Sequence, residues 1–242
     1  MLYDLLALQA IWGAADYNTG NTTYTGPRTD NVDVVWDTGG TDTFDASARG
    51  NDVTLDLRAG RFSTFGSYED LAIAFGVTIE NATGGNGDDR LTGNGAANTL
   101  VGNGGSDLLK GVAGNDTLSG GNGKDVLKGG SARDRLAGDG GNDRLYGGKG
   151  KDVLEGGAGT DKLWGGAGRD TFRFIEDADR EVVRDFEAGT DTLEIVGMGN
   201  LSAVLDLAEE RNGDVRFAFG DGDLLIVKNI TLDLLETDIA IA

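Results

Sequence analysis

The chain has 242 residues, 41 acidic against 21 basic, a formal net charge of −20, no cysteine and no histidine. This excludes thiolate metal sites, disulfides, every histidine-dependent catalytic triad and the HExxH zinc site, and it argues against nucleic acid and anionic membrane surfaces as partners. The 42 glycines beside a single proline, Pro27, follow neither the collagen period nor the composition of a proline-rich linker, which leaves a glycine-rich repeat.

In chain order, Leu2 to Trp12 places Leu2, Leu5, Leu6, Leu8, Ile11 and Trp12 on a broad apolar face with Gly13 as terminator, and predicts a core-packing helix. With Arg28 as its first basic residue, the start does not read as a cleavable signal peptide, and no apolar run reaches the length of a membrane span. Asn31 to Asp37, Asp52 to Leu57 and Ala72 to Ile79 read as strands between turn residues.

From Gly84 to Arg173 a nonapeptide recurs ten times in unbroken register. Position one is always glycine. Position four is glycine except for Ala96 and Ala132, position six is aspartate except for Asn98, and position eight is leucine except for Phe172. Positions seven to nine predict a short strand whose middle side chain points inward, and positions one to six a turn. Two copies then make one coil, and stacked coils make a parallel β-roll. The fold class expected is all-β, a parallel β-roll solenoid of ten nonapeptides with β-rich caps, one N-terminal helix and a short C-terminal helix. Its segments are an N-terminal cap over 1–83, the roll over 84–173 and a C-terminal cap over 174–242.

After the array, Glu181 to Phe186 and Asp191 to Val196 read as strands, and Leu201 to Glu210 carries Leu201, Val204, Leu205 and Ala208 at helical spacing. Asp214 to Phe219 and Asp223 to Lys228 predict a hairpin, and the chain ends in the apolar segment Asp238 to Ala242.

Stacking brings the position-six side chains of copies n and n+2 into a column on each side of the roll. Two carboxylates about 5 Å apart repel by roughly 3 kcal/mol at an effective dielectric near 20, so the column calls for a divalent cation. Oxygen ligands on a flexible turn, without nitrogen or sulfur, suit calcium better than zinc or copper, and magnesium less because it keeps its waters. Ten copies offer eight such intercopy sites. No phosphate-cradling GxGxxG or GxxxxGK[ST] and no EF-hand loop is present. Among 41 acids chance pairs arise, which leaves a carboxylate hydrolase as a minor reading.

The nonapeptide is similar to the RTX repeat, GGxGxDxUx, a calcium-binding β-roll signature. More broadly, "MLYDLLALQAIWGA", "WDTGGTDTFDAS" and "GVTIENATGGNGDDRLTGN" resemble, in that order, the C-terminal domain of serralysin-type metalloproteases. The resemblance implies a calcium site ahead of the array on Asp37, Gly39, Gly40, Asp42, Thr78 and Glu80. Within the array it implies ligands from side chains at position six and backbone carbonyls of the turn. In copies one to five these fall on Gly85, Gly87 and Asp89; Asn94, Ala96 and Asn98; Gly102, Asn103, Gly105 and Asp107; Gly111, Gly114 and Asp116; Gly120, Gly121, Gly123 and Asp125. In copies six to ten they fall on Gly129, Gly130 and Asp134; Gly138, Gly141 and Asp143; Gly147, Gly148, Gly150 and Asp152; Gly156, Gly157, Gly159 and Asp161; Gly165, Gly168 and Asp170.

The resemblance further implies about eight calcium ions in the roll with one more upstream, no zinc, and export to the extracellular medium by a type I secretion apparatus that reads an uncleaved C-terminal signal, with no membrane insertion. "TDIAIA" is similar to the serralysin ending and also reads as a last strand. Where the family carries Arg-Thr-Gly-Asp-Thr after its linking helix, this chain has Asn18 to Thr22, "NTGNT", without either charge, and Asn98 supplies only a neutral oxygen. Met1 aligns with the interior of the family's chain. The expectation is a non-catalytic, calcium-folded module, the alternatives being a fragment of a zinc metalloprotease with its catalytic domain upstream, or a calcium-dependent surface protein or adhesin.

Overall fold

The computed structural model describes residues 19–26, 33–66, 71–175, 179–220 and 222–242. The expected helix Leu2 to Trp12 lies outside these residues. The rest winds as short, mostly parallel strands into a β-solenoid, with two ladders enclosing one core.

One ladder carries the even-numbered copies. It runs through Thr43–Asp45, Asn81–Thr83, Thr99–Gly104, Thr117–Gly123, Arg135–Gly141, Val153–Glu155, Thr171–Ile175, Thr192–Val196 and Ile239–Ile241. The other carries the odd-numbered copies through Thr54–Asp56, Arg90–Thr92, Leu108–Lys110, Val126–Ser131, Arg144–Gly150, Ala158–Gly168, Arg180–Val183 and Leu224–Val227. Within the array each residue pairs with the one eighteen further on, as in Leu109↔Leu127 and Leu118↔Leu136. That register follows from two copies per coil, and it puts every position-eight side chain over its equivalent. Leu91, Leu100, Leu109, Leu127, Leu145, Leu154 and Leu163 are wholly buried.

The strands run further than positions seven to nine. Thr117–Gly123 and Arg135–Gly141 continue into the next turn, and Gly121↔Asp139 and Gly123↔Gly141 pair there as well. The turns are thus themselves part of the ladder, which extends the backbone hydrogen bonding around the corner of each coil.

The flanks close the ends. Ahead of the array, Asp33–Val35, Leu71–Ile73 and Phe62–Ser63 form a separate three-stranded sheet. The strand expected over Ala72 to Ile79 stops at Ile73 because Gly76, at φ +84, turns the chain. At the other end the expected hairpin is present, Asp214–Ala218 against Leu224–Val227 in antiparallel register. The helix expected over Leu201 to Glu210 is shorter: Leu201–Leu205 is helical, started by the Asn200 side chain accepting from the Ala203 N–H, and Ala208–Arg211 pairs instead with Asp214–Ala218. Sheet pairing there overrides helical spacing. A second short helix, Leu232–Leu235, precedes the last strand, Ile239–Ile241, which seals the ladder on Leu193 to Ile195. The tail resembling a secretion signal is therefore also a structural strand. No helix among the described residues is long and apolar enough to cross a membrane.

With one buried leucine per copy, the core has no redundancy. Leu127→Ala is expected to destabilise the fold by about 2–5 kcal/mol, measured as a shift in denaturant midpoint.

Candidate metal centre

Each position-six carboxylate divides its two oxygens between two tasks. Oδ1 accepts the backbone N–H of the position-six residue one coil earlier: Asp107 from Asp89 at 2.7 Å, Asp125 from Asp107 and Asp143 from Asp125 at 2.8 Å. The other side of the roll repeats this, with Asp116 accepting from Asn98, Asp134 from Asp116, Asp152 from Asp134 and Asp170 from Asp152. Asp161 accepts likewise from Asp143. The second oxygen is bare. Oδ2 of Asp107, Asp116, Asp125, Asp134, Asp143, Asp152, Asp161 and Asp170 is buried with no hydrogen-bond partner. One side-chain oxygen in each of eight successive copies is thus desolvated and uncompensated, an arrangement that costs heavily unless something binds it.

The first two copies differ. Asp89 accepts from Val53 N–H with one oxygen and from Gly85 N–H with the other, at 2.8 and 2.6 Å. Asn98 accepts from Asn94 N–H and donates its amide to the Glu80 carbonyl at 2.9 Å. Both behave as the base of a column rather than as rungs within it.

Backbone oxygens converge on the same places. A Cβ built on Gly102 would lie 2.2 Å from Asp107 Oδ2 and 2.4 Å from the Gly120 carbonyl oxygen, and on Gly111 it would lie 2.1 Å from Asp116 Oδ2 and 2.6 Å from the Gly129 carbonyl. Position one is glycine because its missing side chain leaves the space into which the bare carboxylate oxygen and the carbonyl of the next coil both point. Position four is glycine for another reason: Gly123 sits at φ +148, and its Cβ would meet the Gly105 carbonyl oxygen at 1.6 Å. Val112 and Ala132 hold left-handed conformations at positions two and four without being glycine.

No group of three or more His, Cys, Asp or Glu side chains able to hold a metal occurs among the described residues. The column offers one bare carboxylate oxygen per level, joined at five of them by a backbone carbonyl of the next coil. Hard, flexible, all-oxygen coordination of this kind fits calcium, and it gives zinc no nitrogen or sulfur.

Burial raises the column carboxyls above the ordinary carboxylate range. Burial pushes Asp107, Asp143 and Asp152 up to about 7, opposed by the backbone N–H each accepts and reinforced by the charges of column neighbours. Asp116 and Asp161 rise to about 6 for the same leading reason. Asp89, Asp125, Asp134 and Asp170 also shift upward through burial.

Ahead of the array, the structure brings Asp37, Asp42 and Glu80 together. Asp42 N–H donates to Glu80 Oε2 at 2.8 Å, Thr22 N–H donates to Asp42 Oδ1 at 2.8 Å, and Tyr24 donates its hydroxyl to Asp37 Oδ2 at 2.7 Å. Burial raises the Asp42 carboxyl, and the charges of Asp37 and Glu80 raise it further. Gly39, Gly40 and Thr78 are exposed, with Gly40 at φ +120 packed against the Gly20 backbone.

Beyond the array, three acids that sequence periodicity did not reveal continue the columns. Glu181 stands in register with Asp161 and accepts the Gly156 N–H at 2.8 Å; wholly buried, it is pushed up to about 8 by burial. A Cβ on Gly156 would meet both Glu181 Oε1, at 2.5 Å, and Asp161 Oδ2, at 2.7 Å. Asp191 accepts from Asp170 N–H and Glu187 N–H, and Asp185 from Gly165 N–H and Gly166 N–H. Their spacing departs from nine, so only the ladder register of Glu181 and the backbone N–H groups that Asp185 and Asp191 accept identify them.

Gly120→Ala would set a methyl 2.4 Å from Asp125 Oδ2 and 2.8 Å from the Gly138 carbonyl, and is expected to cost about 1–3 kcal/mol in denaturation. Gly95→Ala, with nothing within 4 Å, is expected to be near neutral. Because the folded column's pKa values lie above the ordinary carboxylate value near 3.9, the metal-free fold binds protons more tightly than the unfolded chain. Its stability from the column is full below about 4 and is lost as pH rises through about 7. Metal-stripped protein should therefore unfold at lower denaturant at pH 8 than at pH 5.

A family model described as peptidase M10 serralysin C terminal matches residues 8–222. The chain is 42% identical over 106 residues to a serralysin of Proteus mirabilis, covering 37% of this chain and 21% of that one. It is equally identical over 106 residues to serralysin C of Dickeya chrysanthemi, covering 38% and 22%. It spans about a fifth of the length of the curated relatives it matches. A crystal structure of an extracellular lipase from Serratia marcescens gives a TM-score of 0.39 at 19% identity, over 69% of this chain and 40% of that one. On the match across most of its length, the chain belongs to the peptidase M10 serralysin C-terminal family.

Proposed function

We propose that the chain is a calcium-binding, calcium-folded secretion and stability module of a serralysin-like extracellular protein, non-catalytic in itself. The observation that carries this reading is the run of eight buried, unpartnered aspartate oxygens, of which those of Asp107, Asp116, Asp125, Asp143 and Asp152 converge with a backbone carbonyl of the neighbouring coil. Asp107, Asp116, Asp125, Asp134, Asp143, Asp152, Asp161 and Asp170 would hold the ions, one per bare oxygen, with turn carbonyls completing each site. Glu181 would add a second carboxylate at the Asp161 level, and Asp37, Asp42 and Glu80 an upstream site. Bound calcium supplies positive charge where the column has none.

The rest follows from linkage. A column that must hold its protons or bind cations makes folding free energy depend on calcium, and sites of extracellular modules work in the range of about 10⁻⁴–10⁻³ M. Where calcium is scarce the chain stays unfolded and suited to passage through a type I secretion apparatus; outside, it folds. Family membership supports this route.

Calcium titration followed by circular dichroism, with stoichiometry from equilibrium dialysis, tests the proposal. The expected result is a cooperative gain of β structure with about eight or more ions bound; a chain equally folded in chelator would sink it. Asp125→Ala is expected to lower the stoichiometry by at least one and to weaken the neighbouring levels of Asp107 and Asp143, which share its backbone bonds, while leaving the opposite column intact. An unchanged stoichiometry and affinity would break that link.

A further inference from the structure

The net charge of −20 conceals a separation of sign. Between residues 84 and 173, position six contributes nine aspartates, all buried. Outside that position the same segment holds twelve Lys and Arg against three acids, Asp88, Asp139 and Glu155. Once its columns are neutralised, the roll is a cationic rod.

The cations are not spread evenly. On the odd-copy ladder, the outward positions of five consecutive strands contain no acid, and Arg90, Lys110, Lys128, Arg144 and Lys162 stand there, with Arg184 beyond. None of these six forms an ion pair with a described residue, whereas on the opposite ladder Arg173 is held by Glu155 and Glu194 at 3.4 and 3.3 Å. Tyr146 and Trp164 stack on the last two of these five strands with centroids 4.6 Å apart. Lys128 covers the free face of Tyr146 at 5.7 Å and Arg184 that of Trp164 at 5.8 Å. This cation–aromatic–aromatic–cation column stiffens the stripe and leaves the ring edges accessible.

We infer that this face binds a linear acidic polysaccharide lying along the ladder, across the strands. Charge complementarity requires a polyanion, and the rungs, roughly 4.8 Å apart, suit a polymer with an anionic group on successive monomers. The ring faces are already occupied, so unstacked bases have no platform and single-stranded nucleic acid is disfavoured. Exposed large apolar side chains are confined to Val112 and Leu234 among the described residues, so the stripe has nothing to insert into a bilayer. A hydroxyl-rich anionic chain meets cations and ring-edge donors together. That the columns are neutralised rests on the calcium reading; the segregation of charge does not.

The test is binding of the calcium-loaded 242-residue chain to chondroitin sulfate, with neutral dextran, a single-stranded DNA oligomer and phosphatidylserine vesicles as the other arms. Binding to chondroitin sulfate alone, weakening with added salt, is expected. The triple variant Lys110→Glu, Lys128→Glu, Lys162→Glu should bind on the order of tenfold or more weakly while keeping its dichroism and calcium stoichiometry. Arg135→Glu, on the opposite ladder, should bind as the parent does. No preference over dextran, tighter binding to DNA or vesicles, or equal affinity of the folded triple variant would overturn the inference. Retention of fold and binding in chelator would leave this face standing and remove calcium from the account, so the two readings fail separately.

Discussion

A single carboxylate with two unlike oxygens organises this molecule. At position six of each copy, Oδ1 is committed to a backbone N–H one coil earlier, which fixes the register of the next level, and Oδ2 is driven by the same geometry into a dry space without a partner. The hydrogen bond makes the column a piece of secondary structure. The bare oxygen is what the proposed cation would bind. Separating these roles is not open to a substitution, since a neutral amide such as Asn98 can satisfy backbone donors but brings no charge, and the structure uses Asn98 in that way at the base of its column.

The glycines and the caps follow from this arrangement. Position one lacks a side chain so that an oxygen of the same copy and a carbonyl of the next coil can approach one another, and position four lacks one because the backbone is left-handed against a carbonyl of the preceding coil. At the ends the column has no further rung to bond, and other acids take over: Glu181 and Asp185 accept the orphan glycine N–H groups, and Asp191 completes the last level. The hairpin and the final strand cover ladder edges that would otherwise pair with another chain.

The same logic sorts charge. Acids required inside the columns leave outward positions free to be basic, so whole-chain charge describes neither the interior nor the surface of the folded molecule. The cations of one ladder, without ion-pair partners among the described residues, and Arg173 of the other, held by Glu155 and Glu194, show that even the two outer faces differ.

The nine-residue period by itself determined the solenoid, the eighteen-residue register, the inward leucine and the two columns of acids, because each of these is a consequence of periodicity and of side chains alternating across a strand. Only the tertiary structure decided which oxygen is spent on a backbone N–H and which is left bare, since both belong to one side chain and differ only in what the next coil presents. It also decided that Ala208–Arg211 is strand rather than helix, where pairing with Asp214–Ala218 outweighs local spacing. Glu181 and Asp191 stayed invisible to the period for the same reason: insertions shift them out of the count of nine, while the ladder pairing of Glu181 with Asp161 and the Asp170 N–H that Asp191 accepts return them to the column.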